Sequence, residues 1–291
     1  MMDQQPLIVF GEVLFDCFPT GESVLGGAPF NVAWHLQALG DQPKFISAVG
    51  DDDLGHQIIK AMQAWHMDTR GVQLDHAHPT GQVSIVLQEG EPHYTIMPDC
   101  AYDFIQPVVF EPQAAMLYHG SLGLRQARSR QSLEQLTAHN ELSVFLDVNL
   151  RAPWWQSDDV RQWLARARWV KLNEHELRDL GFVASNIRDA MAQLQQAFDI
   201  ELVIVTRGEQ GAIVRSAHGD FYSLKPEPVK NVVDTVGAGD GFTALFIHGL
   251  RLGWPMNDIL AVAQQFACEV IGQRGAISDN IDFYRPFRVK K

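Results

Sequence analysis

Short apolar runs alternate along this chain with stretches in which apolar residues recur every three or four positions. Leu7–Phe10, Lys44–Val49, Met116–Tyr118, Ser143–Leu146, Trp169–Leu172 and Leu202–Val205 read as buried strands. Between them, Ala28–Leu39, Leu54–Trp65, Gln126–His139, Val160–Ala167 and Ile187–Phe198 carry helical spacing. Such alternation predicts an α/β fold, a mostly parallel sheet covered by helices on both faces.

Two stretches break the rhythm. Val13–Leu25 is short and strand-like, and Gly71–Met97 holds period-two segments, Gln82–Gln88 and His93–Met97, with Gly90 and Pro92 at a turn. They predict a small antiparallel sheet, either a lid over the mouth of the main sheet or extra strands at its edge. Near the C-terminus, Ala212–Arg215 and Asp220–Leu224 read as a hairpin, and Lys225–Val229 as a loop. Asp240–Leu250 is apolar nearly all round and should be a buried helix. The next helix should start at an Asn257 cap and bury Ile259, Leu260, Ala263, Phe266, Ala267, Val270 and Ile271. With no repeat and no low-complexity linker, the chain reads as one domain over 1–291, its lid strands inserted at about 13–25 and 71–97.

Composition narrows the function. The 291 residues are 46% hydrophobic, enough for a large core, and carry a net charge of −12. That charge argues against nucleic acid as a partner, but not against a phosphate ligand held by backbone N–H groups and Mg²⁺. No apolar run is long enough to span a membrane. Met1–Pro6 lacks the basic stretch and apolar core of a secretory signal. Three scattered cysteines, Cys17, Cys100 and Cys268, suggest buried thiols in a reducing cytoplasm.

Asp234-Thr235-Val236-Gly237-Ala238-Gly239-Asp240 is the most informative string. Gly237 and Gly239 free the backbone to turn sharply, so that successive N–H groups face one hollow at the start of the buried helix. The helix dipole makes that hollow attractive to anions. A carboxylate beside it, Asp240, is placed to take a proton from an attacking hydroxyl. Phosphoryl transfer needs this pairing of anion stabilisation and base. Earlier, Gly26-Gly27-Ala28-Pro29-Phe30-Asn31 opens the first helix. Its Asn31 offers the donor and acceptor that a polyol hydroxyl requires, and Asp16 adds an acceptor.

These strings together resemble the ribokinase-like sugar kinases, also called the phosphofructokinase-B family. Asp-Thr-x-Gly-Ala-Gly-Asp is that family's C-terminal motif, and Gly-Gly-Ala-Pro-x-Asn is its sugar-binding motif in the form typical of fructokinases. Gly40, Gly50 and the run Gly50–Gly55 fall in the same N-terminal pattern, with Asp51–Asp53 reading as a solvated turn that caps a helix. The resemblance implies a three-layer αβα fold with a small β-sheet lid, and an ATP-dependent kinase acting on a small sugar, fructose first among them. Another ketose, a sugar acid or a nucleoside is the alternative substrate. A non-catalytic sugar sensor is the alternative from another class.

It also implies roles. Asp240 would be the base, and Gly237, Ala238 and Gly239 the anion hole. Asp16, Gly26, Gly27, Asn31 and Asn149 would bind the sugar. Asp147-Val148-Asn149-Leu150-Arg151 resembles the family's Asp-x-Asn-x-Arg string, with Arg151 reaching the transferring phosphoryl. Asn173-Glu174-His175-Glu176 resembles Asn-x-x-Glu. There Asn173 would meet ATP and Glu176 would meet Mg²⁺ through water, while the same spacing equally describes a helix capping box. Thr206, Gly208 and Gly211 match a nucleotide-binding loop, and Gln264 would line the adenine pocket. Asp234, Val236 and Gly275 would hold a monovalent cation such as K⁺. His175 reads as exposed, and His248 as a satisfied core histidine. Open lid edges suggest a homodimer.

Overall fold

Parallel pairing organises the molecule, a computed structural model that describes residues 5–88, 91–108, 114–138, 141–227 and 232–288. The strands of the main sheet are β1 (Leu7–Phe10), β4 (Lys44–Gly50), β5 (Val72–Asp75), β8 (Ala114–His119), β9 (Glu141–Asp147), β10 (Trp169–Asn173), β11 (Leu202–Thr206), β12 (Ala212–Arg215) and β13 (Phe221–Leu224). Among the described residues these nine form one sheet in the order β13-β12-β11-β10-β9-β8-β1-β4-β5. Every pair is parallel except β11–β12 and β12–β13. The chain leaves β1 toward β4 and later returns to its other side at β8. The carboxyl edge between β1 and β8 is therefore the switch point, where open α/β sheets bind ligands.

Helices α1 (Ala28–Leu39), α2 (Asp53–Ala64), α7 (Ala238–Arg251), α8 (Met256–Ile271) and α9 (Ile281–Tyr284) cover one face, around Phe30, Phe45, Phe145, Phe246 and Phe266. The other face carries α3 (Ala127–Ala138), α4 (Ser157–Leu164), α5 (Glu174–Asp179) and α6 (Ile187–Phe198), over Ile8, Leu117, Leu146, Leu172 and Val203. Strand alternation sets this division. In β9, Phe145 faces α7 while Leu146 faces the opposite layer. Two-sided burial is why these strands read as continuous apolar runs.

A second sheet of β3 (Ser23–Gly26), β2 (Leu14–Cys17), β6 (Gly81–Gln88) and β7 (Glu91–Ile96), in that order, forms the small β element. The expected lid is narrower than the sequence suggested. Val72–Asp75 pairs with β4 in the main sheet, so only the second half of the 71–97 stretch belongs to the small sheet. Pro92 falls within β7, and Gly90 lies outside the described residues, as does the end of the Lys225–Val229 loop. Asn257 is not a cap either: α8 begins one residue earlier, after Pro255. Its buried face includes Val262, while Ile271 is only partly covered. Only Cys100 of the three cysteines is fully buried.

The small sheet is tied down by polar groups. Asp52 caps α2 by accepting from Gly55 N, and also accepts from Thr80 N at 2.8 Å and Thr80 Oγ1 at 2.6 Å, just before β6. Past β7, Arg125 donates to both oxygens of Asp103 at 2.7 Å and to Met97 O. Its guanidinium lies 4.4 Å from the centre of the Trp154 ring. The two side chains are 2% and 0% exposed. Removing one partner strands a buried charge. Arg125→Met should therefore cost roughly 3–5 kcal/mol in denaturant unfolding, and adding Asp103→Asn should recover part of that loss.

Candidate active site at the carboxyl edge of the sheet

Helix α7 starts at the sheet's carboxyl edge, and its first turn organises the crevice. Gly237 is the N-cap, with φ +80°, a conformation that favours glycine. A side chain there would also meet Ala276 at 2.3 Å from the new Cβ. With the turn pressed onto Ala276, the leading N–H groups of Ala238, Gly239 and Asp240 point out of the helix without intrahelical partners. The rest of α7, from Gly241 to Gly249, is buried, as its apolar sequence requires.

Asn31 meets Asp240 across 209 positions of sequence. Its Nδ2 donates to Asp240 Oδ2 at 2.8 Å. Pro29 sits in the first turn of α1 after Gly27, whose φ of +103° and close approach to Glu12 O exclude a side chain. Asn31 is 3% exposed, and its Oδ1 is buried without a hydrogen-bond partner among the described residues. Asp240 keeps a partly open surface toward the crevice, yet the protein packed around its carboxyl raises its pKa to about 6. The Asn31 hydrogen bond and the Lys171 charge oppose that rise, and Asp147 adds to it.

Two more acids share the crevice. Asp16, on β2, has a pKa raised to about 6, first by burial and then by Asp234. Glu12, just beyond β1, is 2% exposed and accepts from Gly123 N at 3.0 Å. Burial raises it to about 7, with Arg151 opposing and Asp240 reinforcing the shift. Glu12 and Lys171 were missed in the sequence. The signal for Lys171 was present, a lone charge inside the apolar strand Trp169–Asn173.

The other expected residues fall into groups. Asn149 has φ +38°, and its carbonyl accepts from Ser121 Oγ at 3.0 Å. Arg151 is exposed and donates to Leu150 O at 3.3 Å. Asn173 lies beside Thr206 in the parallel register, and Gly208 and Gly211 close the next turn through Gly211 N to Gly208 O. Of the two readings of Asn173–Glu176, the structure shows the capping box, with Asn173 capping α5. Glu176 is buried, and its oxygens accept from Asn173 N and Leu150 N, each at 2.8 Å. Asp234 joins the expected trio: Oδ1 accepts from Val236 N at 3.0 Å and Oδ2 from Gly275 N at 3.2 Å. Gln264 lies half-buried on α8, one turn before Cys268. His175 is exposed, as read from sequence. His248 is a buried core residue bonded to Asp41 at 2.6 Å, but its Nε2 has no hydrogen-bond partner among the described residues, so it is only half satisfied.

The raised acids carry a stability consequence. A carboxyl whose folded pKa exceeds its unfolded value binds more protons when folded, so its contribution weakens as pH rises from about 4 toward 6 for Asp240. Asp240→Asn should accordingly unfold later than the parent at pH 8, by on the order of 2 kcal/mol after allowing for its open surface. The difference should vanish near pH 4, measured by thermal melts across that range.

Comparison with known proteins agrees with this geometry. The description "pfkB family carbohydrate kinase" matches residues 10–282. A fructokinase of Klebsiella pneumoniae is 33% identical over 276 residues, covering 89% of each chain. An aminoimidazole riboside kinase of Salmonella typhimurium is 32% identical over 251 residues, covering 80% of this chain and 77% of that one. The crystal structure of a Vibrio cholerae fructokinase with fructose, ADP and calcium bound shares the fold, with a TM-score of 0.84 over 97% of this chain and 98% of the other at 24% identity. Matched by the family description along nearly its whole length, this chain is a member of the pfkB family of carbohydrate kinases.

Proposed function

We propose that the protein transfers the γ-phosphoryl group of ATP to a hydroxyl of fructose, with Asp240 as the base. The pairing of Asn31 with Asp240 at the α7 N-terminus carries this reading. It sets a base, an orphaned buried acceptor and a helix N-terminus in one place. A sugar hydroxyl gives its proton to Asp240 as its oxygen attacks the γ-phosphorus. The bond from the γ-phosphorus to the bridging oxygen breaks, and ADP leaves. Amides of Gly237, Ala238 and Gly239, with the Arg151 fork, stabilise the charge that develops on the phosphoryl oxygens. Asp16, Gly26, Gly27 and Asn149 complete the sugar site from the lid side and the β9 end. Asn173, Thr206, Gly208 and Gly211 line the nucleotide side, with Gln264 assigned to the adenine end.

Glu176 is the Mg²⁺ residue in this reading. With both oxygens already accepting backbone N–H groups, it suits contact through metal-bound water better than direct ligation. The metal, when bound, neutralises charge on the phosphates. Asp234, with the carbonyl oxygens of Val236 and Gly275, is assigned to a monovalent cation such as K⁺, on the family resemblance. The single domain closes its β lid over the sugar to exclude water, and two copies pair through the lid edges. The same reading places the enzyme in the cytoplasm. Among the described residues no helix is long and apolar enough to cross a membrane.

Fructose is preferred over other acceptors because of the Gly26–Asn31 string and the fructokinase relative. The riboside kinase relative is nearly as similar, so the acceptor has to be measured. An ADP-release assay over fructose, ribose, 2-keto-3-deoxygluconate and adenosine should show the highest kcat/KM with fructose. A different preferred acceptor would refute the substrate assignment, and sugar binding without turnover of any acceptor would favour the sensor reading. Asp240→Asn should lower kcat by ~10²-fold or more. Wild-type kcat should fall as pH drops through about 6, because the base must be ionised to accept a proton. Near-normal turnover in the Asn variant would remove Asp240 from its role.

A further inference from the structure

Directly beneath the first turn of α7 sits a buried lysine. Lys171 and Asp147 occupy paired positions in β10 and β9, and both point toward α7. Lys171 Nζ donates to Asp147 Oδ1 at 3.1 Å and Oδ2 at 2.9 Å. Their side chains are 10% and 1% exposed. Thr243, also buried, donates to Asp147 Oδ2 at 3.1 Å and to Gly239 O at 2.8 Å, linking the pair to the turn. The ammonium itself reaches the turn, since a Cβ built on Gly239 would lie 3.3 Å from Nζ. Two of its three N–H bonds are accounted for by Asp147, and Gly239 lies within reach of the ammonium.

A buried ion pair is an expensive way to fill space, and apolar residues of similar size often serve as well. The flanking positions Val170 and Leu172 are apolar, so the charge at 171 calls for a local reason. The base in the crevice provides one. Asp240 must stay ionised while a polyanionic triphosphate approaches, and Asn31 is its only direct hydrogen-bond partner among the described residues. The charged or titratable groups that act on it are Lys171 from β10, Asp147 from β9, Arg151 beyond it, Glu12 after β1 and Tyr118 on β8. Of the two cations, Lys171 is buried and fixed by hydrogen bonds, whereas Arg151 is exposed.

We infer that Lys171, held by Asp147, which Thr243 ties to the turn, is a positioning residue that braces the Gly239 turn and keeps Asp240 ionised beside the incoming phosphoryl group. The inference rests on the kinase reading, in which Asp240 is the base. Burial alone would push Lys171 toward neutrality. The Asp147 carboxylate reverses this and holds the ammonium above the ordinary lysine range, so the charge persists across the working pH.

The decisive comparison uses Lys171→Met, Lys171→Arg and Asp147→Asn in the full chain. Carboxyl-carbon NMR titration of Asp240 is read beside kcat–pH profiles with the best acceptor. Lys171→Met should raise the Asp240 pKa by about one unit, lower kcat about 10- to 100-fold at neutral pH, and recover part of that loss at higher pH. Lys171→Arg should restore most of the titration. Asp147→Asn removes a like charge but also the counter-ion that keeps Lys171 charged, so it is read in the Lys171→Arg background, where the cation persists and Asp240 should shift to lower pH. Shifts of opposite sign in these variants are not produced by loss of packing. A folded Lys171→Met protein with an unmoved Asp240 titration overturns the inference; should the Met variant fail to fold, Lys171→Gln is read in the same way. Absence of turnover in the wild type would sink the kinase reading instead, and the titration would still decide the role of Lys171.

Discussion

One constraint governs the carboxyl edge of this protein: the first turn of α7 must present unpaired amides to the crevice without collapsing onto them. An isolated helix end would fray or be filled by water. Here the turn is pressed against Ala276, tied through Thr243 to the strand below, and approached by the Lys171 ammonium. The long buried body of α7 packs against α1 and α8 and anchors the turn from behind. Because α7 cannot move without opening that core, its N-terminus is a fixed source of positive potential.

Much else follows from that fixed point. Asn31 on α1 can reach Asp240 only because both helices lie on the same face of the sheet, with their starts at the same edge. The strand order puts β1 and β8 side by side at the switch point, bringing Glu12 and the 120–123 segment to the same crevice. Several acids so close in a partly dry space resist ionisation together. The site accordingly sets cations and amides against them: Arg151 at the rim, Lys171 below, and the Asn31 amide on Asp240 itself. The small sheet, held at its roots by Asp52 with Thr80 and by Arg125 with Asp103, carries Asp16 on β2.

The sequence by itself determined the elements and most of the crevice. Helices at Ala28–Leu39 and Ile187–Phe198 were legible to the residue, because periodic apolar spacing coincides there with a glycine turn or an Asn cap. The glycine strings disclosed the sharp turn before α7 and the start of α1, since few residue types tolerate those backbone angles. Tertiary structure alone decided which short strand joins which sheet. Val72–Asp75 is four residues long and carries no mark of its partner, and its union with β4 rests on a crossover that local pattern does not encode. It also decided which charges meet. Lys171 and Asp147 are separated by 24 positions, and Asn31 and Asp240 by 209. Sequence marks Lys171 as a charge inside an apolar strand, and Asn31 and Asp240 as members of glycine strings, without showing which partner each meets. Only sheet register and helix packing bring the partners within hydrogen-bond distance, because electrostatic coupling depends on separation in space and not along the chain.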